Sequence, residues 1–487
     1  MINYFNFSTS IGWIAILYVV NILLIFAVIF TERKSPSATL AWVMVLAFIP
    51  IVGFVFYIVF NQNFSRSKIN KLTEKEEVIV SKALKKQIER INDDDYKFAR
   101  PETKIWKHLI KLNQVYGHSF YTENNNVELI TDGVELQNKL LNDIKNAKKT
   151  VDVEYYIIKN DFVGMKLINL LTEKAKEGVE VRLLMDTLGS RSINDVVLSE
   201  YLKAGGKVGY FFKPKLKIIA PFNYRNHRKI VIVDHEIGYT GGYNVAREYI
   251  GRKKRFGYWR DTHVRIKGNA VVDLYGRFAL DWRFTTKEQL DVIPKDFAFD
   301  KEKGSMGIQI VSCGPEPPSV EVKRAMMRMI TYAEKKVWLQ TPYFVPDPSI
   351  FESLKMAAQS GVDVRVMIPC KPDHIFVYWA TYSYVGELLR SGGRVFIYDD
   401  GFLHAKTLVV DGEVGTVGST NFDNRSFKLN FETNAFIYDR EFAKKMEDTF
   451  QNDLINHGHE LTYEAYLKRG VIIKFKEAFS RLLSDIL

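Results

Sequence analysis

NHRKIVIVDHEIGYTGGYN, from Asn226 to Asn244, and LHAKTLVVDGEVGTVGSTN, from Leu403 to Asn421, place the same residue types at the same intervals. His227, Lys229 and Asp234 are matched by His404, Lys406 and Asp411, and Gly241, Gly242 and Asn244 by Gly418, Ser419 and Asn421. Side chains alternate along a strand, so each histidine and lysine share a face while Arg228 or Ala405 turns the other way. The runs Ile230 to Val233 and Thr407 to Val410 read as buried strands that fix this pair. The glycine-containing pairs that end the next strand, with Gly242 and Ser419 at equivalent places, let backbone N–H groups approach a ligand, a floor suited to phosphate.

Working outward, the flanking sequence repeats as well. AKKTVDVEYYII from Ala147, EGVEVRLLMD from Glu177 and LKAGGKVGYF from Leu202 lead to the first motif. AEKKVWLQTPYFV from Ala333, SGVDVRVMIP from Ser360 and LRSGGRVFIY from Leu389 lead to the second. β-Branched runs alternate with helix-length segments such as MKLINLLTEKAKE and IFESLKMAAQS, the pattern of strands joined by crossover helices. The expected fold class is α/β, with two tandem α/β/α sandwich domains over residues 125–303 and 304–487. A tandem repeat packed about a pseudo-twofold axis brings equivalent residues face to face, so one site can be built from two halves. A lone His and Lys two apart would be unremarkable, but the duplicated constellation points to catalysis.

Ahead of the repeats lie two apolar runs, Ile11 to Phe30 and Thr39 to Phe60. Each is long enough at ~1.5 Å per residue to cross a ~30 Å hydrocarbon layer. They predict a transmembrane helical hairpin within 1–62, with Trp42 and Tyr57 as interfacial anchors. Met1 to Ser10 carries no Lys or Arg, which argues against a cleaved signal peptide. Arg66, Lys68 and Lys71 outnumber Arg33 and Lys34, so the positive-inside rule puts the catalytic domains on the cytoplasmic face of a multi-pass cell-membrane protein. Residues 63–124 read as a charged connector, with Val78, Val80, Leu84 and Ile88 marking an amphipathic helix. The net charge of +11 favours an anionic partner, a lipid surface or nucleic acid. Cys313 and Cys370 lack CxxC spacing and support neither a disulfide framework nor a zinc site.

The paired motifs resemble the phospholipase D superfamily. ERKSPSATLAW, NYRNHRKIVIVD and NFDNRSFKLNFETN are similar to the corresponding segments of bacterial cardiolipin synthases, and the resemblance covers essentially the whole chain. It implies a covalent phosphatidyl-histidine, with His227 as nucleophile and His404 as acid and base. Lys229, Lys406, Asn244 and Asn421 would then clamp phosphate oxygens, and Asp261 and Glu432 would orient the histidines as the third member of a triad does. Either carboxylate can also be read as a strand-end surface acid. Asp234 and Asp411 belong to the catalytic signature, but they follow buried strands and read as structural hydrogen-bond acceptors. His235, His263, His374, His457 and His459 form no HExxH or comparable set, so chemistry without metal or cofactor is expected.

By this resemblance two phosphatidylglycerol molecules give cardiolipin and glycerol. Phosphatidylserine synthesis and phospholipase D hydrolysis use the same chemistry, and a nuclease is the rival outside lipids. The apolar N-terminus argues for an anionic membrane surface and against nucleic acid as partner; the oligomeric state is left open. Intact duplicated His and Lys argue against a non-catalytic lipid-binding scaffold. In RGVIIKFKEAFSRLLSDIL, Ile472, Phe475, Phe479, Leu482, Leu483 and Ile486 follow helical spacing. That C-terminal amphipathic helix fits either a membrane interface or a face of the second domain.

Overall fold

Apolar β-branched runs long enough for strands, separated by Asp-capped amphipathic helices, dominate the chain. The computed structural model describes residues 15–16, 18–27, 29–30, 36–49, 53–54, 57, 72–213, 224–302, 304–315, 320–482 and 484. The first copy contributes β1 (Thr122–Ile130), β2 (Thr150–Tyr155), β3 (Glu180–Asp186), β4 (Lys207–Phe211), β5 (Arg225–Asn226), β6 (Lys229–Val233), β7 (Ile237–Gly241), β8 (Trp259–Arg260) and β9 (His263–Gly268). The second contributes β10 (Met306–Cys313), β11 (Lys336–Gln340), β12 (Phe344–Val345), β13 (Asp363–Pro369), β14 (Arg394–Tyr398), β15 (Phe402–Leu403), β16 (Thr407–Val410), β17 (Val414–Gly418), β18 (Phe422–Asp423), β19 (Asn430–Tyr438) and β20 (Gly458–Leu461).

The order β1-β9-β7-β6-β2-β3-β4 in the first copy recurs as β10-β19-β17-β16-β11-β13-β14 in the second. β1 pairs antiparallel with β10, so the copies meet as one sheet in which their strand orders run outward in opposite directions. This is the mixed α/β fold with tandem repeats that the sequence pattern implies. β2, β3 and β4 are parallel, as are β11, β13 and β14, and helices make the crossovers. Asp161 and Asp347 cap Phe162–Lys176 and Pro348–Gln359 by accepting from backbone N–H groups of the first turn. Val151, Val153, Leu183, Val231 and Tyr239 lie in one core, and Val337, Leu339, Val366, Ile397 and Leu408 in the other.

The charged stretch ahead of the repeats is more firmly packed than a connector need be. Thr73 and Glu76 form a capping box at the start of Glu74–Asn92, and Glu76 also accepts from Arg283. That helix buries Leu84 and Ile91 and half-buries Val80 and Ile88, the stripe read in sequence, with only Val78 of that set exposed. Trp106, Leu109 and Ile110 fill the core of the second copy. In an isolated polar stretch a few apolar residues carry too little periodicity to show this.

Among the described residues no helix is long and apolar enough to cross a membrane. Pro36–Phe48 covers only part of the second apolar run, and residues 1–14, 17, 28, 31–35, 50–52, 55–56 and 58–71 of the expected hairpin and its flanks lie outside the described residues. Within that N-terminal unit, buried Asn21 donates to the Leu46 carbonyl at 3.0 Å, so the two runs touch, while Trp42 and Tyr57 of the second run meet edge-on at 5.5 Å and are not held at the two ends of one span.

Candidate active site

The motif histidines stand just before their strands rather than in them. β6 begins at Lys229, and β16 begins at Thr407 after Lys406. What fixes each histidine is the opposite repeat. β5 pairs in parallel with Asn430 and Phe431 of β19, and the His227 N–H donates to the Phe431 carbonyl at 2.9 Å. β15 pairs in parallel with β8, and the His404 N–H donates to the Arg260 carbonyl at 2.7 Å. The residues next in line are Glu432 and Asp261.

Each carboxylate therefore meets the other copy's imidazole. His227 Nδ1 lies 3.0 Å from both oxygens of Glu432, and His404 Nδ1 lies 2.6 Å from Asp261 Oδ2. The carboxylates occupy equivalent places, since Gly241 registers with His263 and Gly418 with Asn434, each two residues beyond the acid. With Nδ1–H donating to a carboxylate, Nε2 is left as the basic nitrogen of each ring. Lys229 and Lys406 each donate Nζ to the carbonyl of their own motif histidine.

All of these groups are buried, and desolvation disfavours their charged forms. It brings His227 and His404 down to about 4, against the pull of their carboxylates. Both rings therefore rest neutral at pH 7. The two environments are nearly the same, so neither ring is set apart as the protonated one in the free protein. Burial also lowers Lys229 to about 7 and Lys406 to about 8. For Glu432 and Asp261, burial pushes upward but histidine and lysine neighbours outweigh it, and both stay below the ordinary carboxylate range. Lys406 acts on His227 and Lys229 on His404, so the half-sites share one electrostatic pocket.

An anionic phosphodiester entering this pocket should raise both lysines toward their ordinary value. At pH 8, binding of a phosphonate analogue of a phosphodiester should take up about one and a half protons, falling toward zero near pH 6, where both ammonium groups already exist. Titration calorimetry in buffers of different protonation enthalpy reads this directly. Uptake that grows as pH falls would place the proton on the imidazoles instead.

Other sequence-read positions fall elsewhere. Asp234 accepts from the N–H groups of Lys148, Lys149 and Thr150 at 2.7–2.9 Å, and Asp411 from those of Glu334, Lys335 and Lys336 over the same range. Both lie past the far end of their strands from the histidine, pinning the start of β2 or β11. The Gly242 and Ser419 N–H groups donate to the Thr262 and Thr433 carbonyls, so neither is free to line a phosphate floor. Gly242 serves by its size, because a Cβ there would sit 2.0 Å from Asp261 Oδ1. Ser419 instead donates its hydroxyl to Glu432 at 2.5 Å. Asn244 accepts from Ile157 N–H and donates to the Tyr249 hydroxyl, whereas Asn421 Oδ1 has no hydrogen-bond partner. Among the described residues no group of three or more His, Cys, Asp or Glu could hold a metal ion.

Sequence reasoning missed the aromatic walls. Tyr156 meets His227 edge-on at 4.9 Å between ring centres, and Trp259 lies 5.2 Å from His404. The usable signal was position, since Tyr156 directly follows β2 and ligands gather at the carboxyl ends of such strands. It also missed Glu154, buried behind the first motif, which accepts from Asn226 Nδ2 at 2.6 Å. Its register equivalent in the second copy is Gln340, which donates to Asp453 Oδ2 at 2.7 Å. Burial and nearby Asp281 push Glu154 well above the ordinary carboxyl range, so it acts as a neutral acid in the place of an amide. Glu154→Gln should hold activity within a few-fold, while Glu154→Ala should lower stability by about 1–3 kcal/mol and activity at least tenfold. Rates and denaturant unfolding check both; equal damage from the two would mean that the ionised carboxylate is required.

Residues 140–276 and 326–454 match the family model described as "Cardiolipin synthase, PLD-like domain", and residues 19–61 match "Phospholipase_D-nuclease N-terminal". The chain is 46% identical over 482 residues to the major cardiolipin synthase ClsA of Bacillus subtilis (strain 168), across 99% of this chain and 100% of that one. It is 45% identical over 476 residues to the cardiolipin synthase of Listeria monocytogenes serotype 4a (strain HCC23), covering 97% and 98%. The phosphatidylserine synthase of Haemophilus influenzae Rd KW20 shares the fold, with TM-score 0.59 and 15% identity over 78% of this chain and 100% of that one. Fold and paired motifs together define a two-repeat protein of the phospholipase D type. Its family model and its full-length relatives agree further: the chain belongs to the cardiolipin synthase family.

Proposed function

We propose that this protein is a cardiolipin synthase, transferring the phosphatidyl group of one phosphatidylglycerol to the hydroxyl of another and releasing glycerol. The observation that carries the reading is the crossed pairing, two imidazole–carboxylate sets with their lysines gathered in one buried pocket. In the first half-reaction His227 Nε2 attacks phosphorus, the bond from phosphorus to the glycerol oxygen breaks, and His404, in the small fraction of complexes in which its Nε2 has taken a proton from solvent, gives that oxygen the proton. In the second, neutral His404 takes the proton of the incoming hydroxyl, whose oxygen displaces His227. Lys229, Lys406 and the side-chain NH2 of Asn421 offset charge on the non-bridging oxygens, while Asn244 acts through Tyr249. Glu432 and Asp261 hold each ring's tautomer.

The apolar runs at 11–30 and 39–60 place this chemistry at a bilayer as a helical hairpin, with the repeats on the cytoplasmic side. Asn21 to Leu46 supports the pairing of the two runs, and the basic residues after the second support the orientation. Purified full-length protein in mixed micelles with labelled phosphatidylglycerol, resolved by thin-layer chromatography with and without EDTA, should give cardiolipin in both cases. Phosphatidic acid alone would make it a hydrolase, and loss of activity with EDTA would overturn metal independence.

A further inference from the structure

The helix Val471–Leu482 is amphipathic, and it is turned inside out. The face packed on the protein carries Glu477, 4% exposed, and Ser480, 2% exposed. The face turned away carries Val471, Ile472, Phe475, Phe479 and Leu482, with Val471 and Leu482 both 82% and Phe475 71% exposed. At 3.6 residues per turn these five fall on one stripe, and Lys474 and Lys476 flank it on opposite sides. An ordinary surface helix buries its apolar stripe and wets its polar one.

The inversion is held by specific contacts rather than by loose packing. Glu477 receives two hydrogen bonds from the Arg469 guanidinium, which stacks on Tyr466 with its carbon 3.6 Å from the ring centre. Arg481 pairs with Glu387 and lies over Tyr384, and Lys476 lies over Trp379. Glu387, Tyr384 and Trp379 belong to the neighbouring helix Ile375–Arg390, whose first residues Ile375 and Phe376 are also exposed. At that end lies a cleft lined by Tyr343, Lys371, Asp373 and Tyr378. Asp373 is close enough to Lys406 to favour its charged form, so the apolar stripe sits beside an approach to the reacting groups.

We infer that Val471–Leu482 lies in the interface of a lipid bilayer, its stripe among the acyl chains and Lys474 and Lys476 among anionic headgroups. Two flanking cations on an apolar stripe match that boundary, whereas a soluble protein partner would not call for them. The stripe thereby holds the catalytic repeats against the surface from which a long-chain phosphodiester must enter. That consequence rests on the lipid reading under Proposed function; the docking does not.

The test uses the full chain in phosphatidylglycerol-containing vesicles, carrying Cys370→Ser and, singly, Ile472→Cys, Phe475→Cys or Phe479→Cys labelled with an environment-sensitive fluorophore. Nitroxide on the lipid acyl chain should quench each label, and aqueous iodide should not. Quenching by iodide alone would show the helix in water, and resistance to both quenchers would show it covered by protein, either by a second copy or by another part of the chain; each overturns the inference. A Phe475→Ser/Phe479→Ser variant should raise KM for vesicle-borne phosphatidylglycerol roughly tenfold and leave kcat on a short-chain, monomeric one unchanged. If the unmodified protein makes no cardiolipin, the function reading fails while the quenching still reports docking.

Discussion

His227→Ala and His404→Ala should each lower cardiolipin formation at least ~10⁴-fold, and for different reasons that a change of leaving group separates. A glycerol alkoxide cannot depart without a proton, so His404→Ala stalls before the phosphatidyl-enzyme forms. A nitrophenyl leaving group departs unaided at neutral pH. With a p-nitrophenyl phosphatidyl donor, His404→Ala should therefore release nitrophenol in a burst and trap labelled lipid on the protein. His227→Ala should do neither with any donor, because the attacking nitrogen is gone. Covalent label on His227→Ala would reverse the assignment of the two rings.

The crossed carboxylates give the second large effect. Glu432→Gln leaves His227 without the acceptor that fixes its tautomer and orientation, and Asp261→Asn does the same to His404; each should cost ~10²–10⁴ in kcat. Because the pairs cross between repeats, the rescue pattern must cross too. The nitrophenyl donor should restore the burst in Asp261→Asn, which follows the first motif, and fail to restore it in Glu432→Gln, which follows the second. Adding Glu432→Gln to His227→Ala should change nothing further, since a group that acts through one ring has no effect once the ring is absent. Rescue of Glu432→Gln would show that the carboxylate works within its own half.

Both effects depend on the site being dry. Imidazoles brought to about 4 are neutral and ready to attack at pH 7, and lysines at about 7 and 8 gain charge when an anion arrives. The same protein surroundings that make the buried lysines costly without substrate make them effective with it.

The sequence by itself determined the duplicated α/β pattern and the two His-Lys pairs, because strand alternation, helix periodicity and motif spacing are local and survive in one dimension; Asp261 and Glu432 stand out only through the family resemblance. It also showed that Asp234 and Asp411 follow their strands, which is enough to make them acceptors for the chain that folds back on them. Only the tertiary structure decided which carboxylate serves which histidine. That pairing is set by two short ladders between repeats, β5 with β19 and β15 with β8, and no spacing within one copy encodes a contact made by the other. The same holds for Glu154 behind His227, for the spent N–H groups of Gly242 and Ser419, and for the outward stripe of Val471–Leu482. An amphipathic pattern says that a helix has two faces; which of them meets the protein depends on Arg469, Tyr466 and Glu387 being there to receive the polar one.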